Sequence, residues 1–384
     1  MELLENKNKW FEKILIVVAL SVIAYMIVYP ILYNSTIIRL IWIPALALIM
    51  LSWFMCKTSK KLDIKWYFGI IALVFILLVG LLSSKNPAEI EKLFACVAFL
   101  TFMISLRIYS DIKISKRLFD IIYYMAVILT LLFFAYSFTD IAHKAFLDGE
   151  VTVNRYFVFN LDNSNIAGIY IYCFLCILLI NLKVRKYKLI NLGLIAIDFY
   201  LIYGTNSRAS LLAAIVVFVL AMIPLIRKMP TVFVLLAWIF PIIFVSLYLY
   251  LYEAGYDDIE ILNKSLFSGR EVVYQAYLDR IENPLQMMFG NLEKAKLQNA
   301  HNAPLTYYTS MGFVGAVIAE LMLITNILRI NKPTKNSFVS VAAIMGLLVH
   351  SSFESSMLLG GYPAIVFVLI FFLLANYEGN PTKR

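Results

Sequence analysis

The sequence predicts an all-α, polytopic integral membrane protein of about 12 transmembrane helices with one long extracytoplasmic loop. Three observations predict it. Of 384 residues, 62% are hydrophobic and 15% charged, whereas a soluble domain has about 45–50% apolar and about 25% charged residues. The apolar residues come in blocks of roughly 17–25, the length that crosses a bilayer as a helix. About two thirds of the 33 Lys and Arg fall on the N-terminus, the loops after even-numbered blocks and the C-terminus, the bias that marks the cytoplasmic side.

The first block, residues 14–32, follows "MELLENKNKWFEK". It runs too long for a cleaved signal peptide and has no small-residue cleavage site. Blocks at 37–55, 66–82, 93–106 and 118–142 come next, with "CKTSKKLDIK" and "RIYSDIKISKR" on the cytoplasmic side. The sixth block, 164–182, carries Cys173 and Cys176 as a C-x-x-C inside "IYIYCFLCILLI". With no His or further Cys near, these read as two small residues on a buried face, not as a zinc or redox site. Blocks at 189–204, 208–226 and 231–252 are joined by further short links, "KVRKYK" and "RKMP" being cytoplasmic. Residues 253–302 form the long outer loop. A structureless segment of about fifty residues is unusual, so this one is expected to be functional. Within it, "SGREVVYQAYLDRIENP" sets Ser268 and Glu271 at capping-box spacing. Val273, Ala276, Tyr277 and Ile281 mark one helical face and Pro284 ends it, which predicts an amphipathic helix on the outer membrane surface. Blocks at 303–328, 338–353 and 357–376 close the chain with both termini cytoplasmic. No repeat or low-complexity linker divides it, so residues 1–384 read as one membrane domain. The net charge of +9 follows from the cytoplasmic loops and does not call for a nucleic-acid partner.

With this orientation, positive groups gather at outward helix starts. Asn206 and Ser207 precede Arg208 at the eighth block. Arg270 opens the loop helix. His301 precedes the tenth block, where Asn302 is a cap and Pro304 a first-turn residue. Cations are unfavourable at a helix N-terminus, unless an anion sits among them. Free N–H groups with a guanidinium fork form a phosphate site. Any one such arginine, taken alone, also reads as a snorkelling anchor. Three together favour an anion site. Gly312 with Ala316, and Gly315 with Ala319, are small-xxx-small pairs that let the tenth span pack closely on a neighbour.

Two motifs carry a resemblance. Arg208 and Leu212 match R-x3-L, and His301, Asn302, Gly312 and Gly315 match H-[N/S/Q]-x9-G-x2-[G/T/Y]. "SGREVVYQAYLDRIENPL" matches a G-R segment ahead of the His motif, and "NLDNSNIAG", with Asn165, an Asn-rich start of a middle span. Over residues 150–360 the chain resembles the O-antigen ligase and polymerase superfamily, the Wzy and WaaL type of integral-membrane glycosyltransferase. The resemblance implies action on the outer face of the bacterial plasma membrane on undecaprenyl-diphosphate-linked oligosaccharide. A glycan is transferred to an acceptor hydroxyl with inversion and without metal or other cofactor. It implies that the arginines hold the lipid diphosphate and that His301 lies at the active centre. Membrane lipids, a flippase and a chain-length regulator are the implied partners.

The chemistry of the residues agrees. Developing charge on a diphosphate leaving group is stabilised by Arg208 and Arg270. His301, with an ordinary pKa of about 6.5, suits either a base toward the acceptor hydroxyl or a diphosphate ligand. Asn302, Asn165, Arg155 and Glu354 are the expected substrate contacts. Glu354, in "HSSFESS", is placed to meet the acceptor or to pair with an Arg. His350, one turn deeper, reads as structural. Arg39 also faces out. Tyr307 and Tyr308 read as sugar-stacking or interfacial rings. Asp257 and Asp258 lack the D-x-D spacing of metal-using glycosyltransferases. Polymerisation of repeat units is the leading activity. Ligation to lipid A–core is one alternative. A lipid-linked oligosaccharide flippase or sugar carrier is another, though the similar halves common in carriers are missing.

Overall fold

A computed structural model describes residues 2–32, 64–82, 90–147, 150–161, 163–184, 188–223, 230–256, 260–261, 264–265, 269–279, 281, 283–291, 302–332, 334–354 and 364–377. The expected span at 37–55 lies outside the described residues, as do Arg39, Asp257, Asp258, Ser268, His301 and the start of the last span. The described chain is predominantly helical. In order it forms α1 (Glu2–Leu32), α2 (Ile64–Leu82), α3 (Ile90–Tyr109), α4 (Lys116–Tyr136), α5 (Ser164–Val184), α6 (Lys188–Thr205), α7 (Arg208–Met222) and α8 (Pro230–Glu253). It continues with α9 (Arg270–Leu278), α10 (Pro284–Phe289), α11 (Ala303–Ile330), α12 (Lys335–Ser351) and α13 (Ala364–Ala375). Five helical segments, Glu12–Ile31, Lys116–Tyr136, Ser164–Val184, Lys188–Thr205 and Ala303–Ile330, are long and apolar enough to cross a membrane. Large apolar side chains also stand on the outside, among them Phe68, Ile71, Phe75, Leu189 and Tyr203, as a lipid-facing surface requires.

α5 and α12 are the centre. Every residue from Ala167 to Leu182 in α5, and from Asn336 to Ser351 in α12, is buried. α5 packs against α4, α6, α7, α12 and α13, while α12 also meets α7, α8, α11 and α13. Cys173 and Cys176 are buried free thiols within α5, in keeping with their reading as small residues on a buried face.

The structure departs from the expected elements at four places. The helix of the fifth expected span, α4, stops at Tyr136 rather than running to 142. Ser137 Oγ and Thr139 Oγ1 donate to the carbonyls of Phe134 and Tyr136 (2.7 and 2.8 Å), taking up final-turn acceptors that continued helix would have used. A 3-10 turn (Asp140–His143) then leads into an antiparallel hairpin of β1 (Lys144–Leu147) and β2 (Glu150–Val153), with Lys144 opposite Val153. A second two-stranded pairing, β3 (Glu260–Ile261) with β4 (Lys264–Ser265), lies in the loop after α8.

The loop helix exists, but its cap and its seat differ. Its N-cap is Gly269 at φ 76°, with no side-chain cap. A left-handed glycine thus caps the helix in place of the expected Ser268, and Ser268 itself lies outside the described residues. Its buried face, Tyr274 and Tyr277, packs on Tyr248 of α8 and Leu305 of α11, not on lipid. Pro284 begins α10, with Asn283 Oδ1 accepting from Gln286 N (2.9 Å). Finally, α11 is broken at Gly312 (φ 64°, ψ −177°), a backbone region open in practice only to glycine. A Cβ at Gly312 would strike the backbone of Met288 and Phe289, and one at Gly290 (φ 78°) would strike Ser310 and Met311. Asn291 N donates to Thr309 O (2.9 Å) beside them. Gly312 therefore permits close approach as expected, but of α10 to a helix break rather than of two continuous helices. Gly315 does face a neighbouring helix, its Cβ position lying 3.0 Å from Ile76 of α2.

Candidate functional site

The starts of α5, α7, α9 and α11 and the end of α12 supply one polar cluster. α6 and α7 are joined through Asn206 and Ser207 alone. Asn206 adopts φ 51°, a left-handed conformation that Asn tolerates better than most residues. Thr205 Oγ1 accepts from Ser207 N (3.2 Å), and Ser207 Oγ caps α7 by accepting from Ser210 N (3.4 Å). Arg208, the first residue of α7, is half-buried. It lies within electrostatic range of Arg270, a like charge, and of Tyr248. Leu212, its partner in the R-x3-L pattern, is exposed on the outer side of the helix.

Arg270 Nη2 donates to Glu354 Oε1 at 2.7 Å. Asn165 Nδ2 donates to the same oxygen at 2.5 Å. Residues 189 positions apart in sequence thus meet on one carboxylate. Asn165 is brought there by Asn163, whose Oδ1 accepts from the N–H groups of Asn165 and Ile166 (both 3.0 Å) and so starts α5. Glu354 is held by the last turn beyond α12, its N–H donating to His350 O (3.0 Å).

Asn302 is fully buried and uses both ends of its amide. Oδ1 accepts from Leu305 N (2.9 Å), capping α11 as expected, and Nδ2 donates to Ser352 O (2.9 Å). It ties the start of α11 to the end of α12, two residues from Glu354. Arg155 is exposed just past the β1–β2 hairpin, and no hydrogen bond or ion pair among the described residues joins it to the cluster.

Sequence reasoning missed three further features. Tyr274, on α9, has no exposed surface, and its hydroxyl lies within reach of Arg270, Asn302 and Glu354 without a well-aligned hydrogen bond among the described residues. Burial pushes its phenol up to about 12, so it remains a protonated donor. Glu271 Oε2, one residue from Arg270, is likewise buried without a well-aligned hydrogen bond among the described residues. Behind Arg208, Ser207 Oγ and Ser210 Oγ are 2.9 Å apart and Ser210 Oγ is 3.1 Å from His350 Nε2. The i, i+3 serines in "NSRAS" carry a local signal; the 140-residue separation to His350 carries none.

Chemically, the cluster sets two guanidinium groups among four helix N-termini, where backbone N–H groups and helix dipoles also favour an anion. A carboxylate, two asparagine amides and a buried phenol surround them. Compared with protein-family models, curated proteins and solved structures, the chain matches none.

Proposed function

We propose that this chain is a metal-independent, inverting glycosyltransferase of the membrane that polymerises undecaprenyl-diphosphate-linked oligosaccharide repeat units. One observation carries the reading: Arg208 and Arg270, both first residues of helices, come within electrostatic range of each other beside the N-terminal residues Asn165 and Asn302. Arg270 already has Glu354 as a counter-charge, yet two neighbouring guanidinium groups at helix N-termini still favour a further anion beside them. A diphosphate is such an anion, and the motif resemblance supplies the class of molecule that carries it.

In the proposed reaction the acceptor hydroxyl oxygen attacks the anomeric carbon of the donor glycan from the face opposite the diphosphate. The new C–O bond forms as the bond to the diphosphate oxygen breaks, and that oxygen keeps the electron pair. Arg208 and Arg270 stabilise the charge that develops there. The hydroxyl proton passes to a base, for which His301 is the candidate. Asn165 and Glu354 orient Arg270, and Glu354 is also placed to meet the acceptor sugar. The proposed topology has twelve spans, both termini cytoplasmic and the Arg208–Arg270 cluster on the outer face, with an ordinary lipid bilayer as the second partner.

Purified protein in liposomes with the lipid-linked repeat unit is the test. Lengthening of the lipid-linked glycan supports polymerisation. Transfer only to lipid A–core makes it a ligase. A change in sidedness with no new glycosidic bond makes it a carrier and overturns the enzyme reading. For orientation, a Cys at Val153, 80% exposed on the hairpin, is expected to react with an impermeant maleimide added outside intact cells, and one at Lys188 is not. Cys96, Cys173 and Cys176 are buried, so a Cys56→Ser background suffices.

A further inference from the structure

The polar chain behind Arg208 extends the proposed function, on which this inference rests. Ser207, Ser210 and His350 are each no more than 1% exposed. Ser210 Oγ stands between them, 2.9 Å from Ser207 Oγ and 3.1 Å from His350 Nε2. α5 closes the other side at Gly168, where an added Cβ would lie 2.5 Å from Ser210 Oγ and 2.9 Å from Ser207 Cβ. α5 is therefore packed directly on the two serines at this point. Ser207 is the cap of α7, and Arg208 is the next residue. The same His350 accepts the N–H of Glu354 on its carbonyl (3.0 Å), and Glu354 holds Arg270. His350 thus reaches Arg208 through its side chain and Arg270 through its backbone.

We infer that His350 is a positioning residue: through Ser210 and Ser207 its imidazole fixes the first turn of α7, and so sets the Arg208 guanidinium at the place where a lipid diphosphate is held. A buried hydroxyl deprived of its partner seeks another. Ser207 Oγ also caps α7, so a rearrangement of the Ser207–Ser210 pair is felt at the cap. A shift of about 1 Å in a group that clamps a reacting substrate costs up to about 100-fold.

The test is binding of farnesyl diphosphate, a short polyprenyl diphosphate, to detergent-solubilised protein, with melting temperature recorded for every variant. His350→Leu is expected to weaken binding roughly tenfold, and Ser210→Ala, a much milder change in volume, to do the same. His350→Gln, whose amide nitrogen reaches the place of Nε2, is expected to recover most of the loss. The His350→Leu loss should vanish in an Arg208→Ala background and persist in full in an Arg270→Ala background. A histidine that merely stabilises the helix bundle would give equal losses in both backgrounds, tracking melting temperature, and that result overturns the inference. So does unchanged binding by Ser210→Ala. Failure of the wild type to bind farnesyl diphosphate at all removes the anion site itself, and the proposed function with it.

Discussion

The two ends of α12 use buried polar residues in opposite ways. At its start, Asn336 Nδ2 donates to the carbonyls of Leu374, Ala375 and Tyr377. Nearby, Asn376 Nδ2 donates to Tyr109 O (3.0 Å) and Ser110 O (2.8 Å), and its Oδ1 accepts from Lys332 Nζ (2.6 Å). These amides satisfy the last carbonyls of α3 and α13, which no helix can satisfy internally. At the other end, Glu354 faces Arg270 and Asn165, charges of like sign stand within range of each other, and Tyr274 and Glu271 bring buried polar atoms without well-aligned hydrogen bonds among the described residues. The first end is a joint of amide-to-carbonyl bonds between helix ends. The second gathers like charges and buried polar atoms in one place, which fold stability alone does not select.

Substitutions separate the two. The largest expected effect is at the charged end. Arg208→Ala and Arg270→Ala should each lower glycan transfer by at least about 100-fold while the protein still purifies as a folded monodisperse species. Lys at either position should restore little, lacking the planar fork. Near-normal transfer by either Ala variant would falsify the clamp for that residue. Asn336→Leu should act in the reverse sense. It leaves the carbonyls of Leu374 and Tyr377 without this donor and should cost on the order of 2 kcal/mol, read as a lower melting temperature, with transfer unchanged at temperatures where the protein stays folded.

A finer distinction comes from Glu354→Gln. The amide keeps an oxygen for Asn165 but removes the charge that competes for Arg270. Affinity for farnesyl diphosphate should rise roughly threefold by ion-pair reasoning at a partly screened site, whereas a carboxylate that only holds the site in shape would give a fall. The smallest effect belongs to Tyr274→Phe. Removing a buried hydroxyl that has no well-aligned hydrogen bond among the described residues should leave the melting temperature nearly unchanged, within the equivalent of about 1 kcal/mol. Lower transfer together with that nearly unchanged stability would mark the hydroxyl as a substrate contact.

The parts of the fold legible in the sequence were those with a composition signal. Each expected span within the described residues has a helix, because blocks of apolar residues dictate helices in lipid whatever their neighbours do. The hairpin at 144–153 and α10 were not legible. Both are short and bounded by polar residues, and periodicity needs length to speak. The break at Gly312 escaped because a single positive φ leaves the surrounding apolar pattern intact. In the cluster, Arg208, Arg270, Asn165, Asn302 and Glu354 were legible as residue types at helix ends. Their convergence was partly foreseen, since an Arg partner for Glu354 was one of two readings. Which arginine, and the supporting role of His350, depend on contacts between helices far apart in the chain. His301, the residue on which the motif turns, lies outside the described residues, and Arg155 stands apart from the cluster.

The reciprocal contact of Gly290 and Gly312 bears on how this chain is able to evolve. At most tight packing positions a larger residue on one side is answered by a smaller one opposite, so variants drift in pairs. Here each missing Cβ faces main chain: Met288 and Phe289 from one side, Ser310 and Met311 from the other. Main chain has nothing to trim, and both positions hold positive φ. In a saturation screen no second-site change of side chain should rescue a substitution at either glycine. Gly193, with nothing within 4 Å of its Cβ position, should accept alanine freely. Selection would then keep the 290–312 pair as a fixed point around which the rest of the 253–302 segment is able to change.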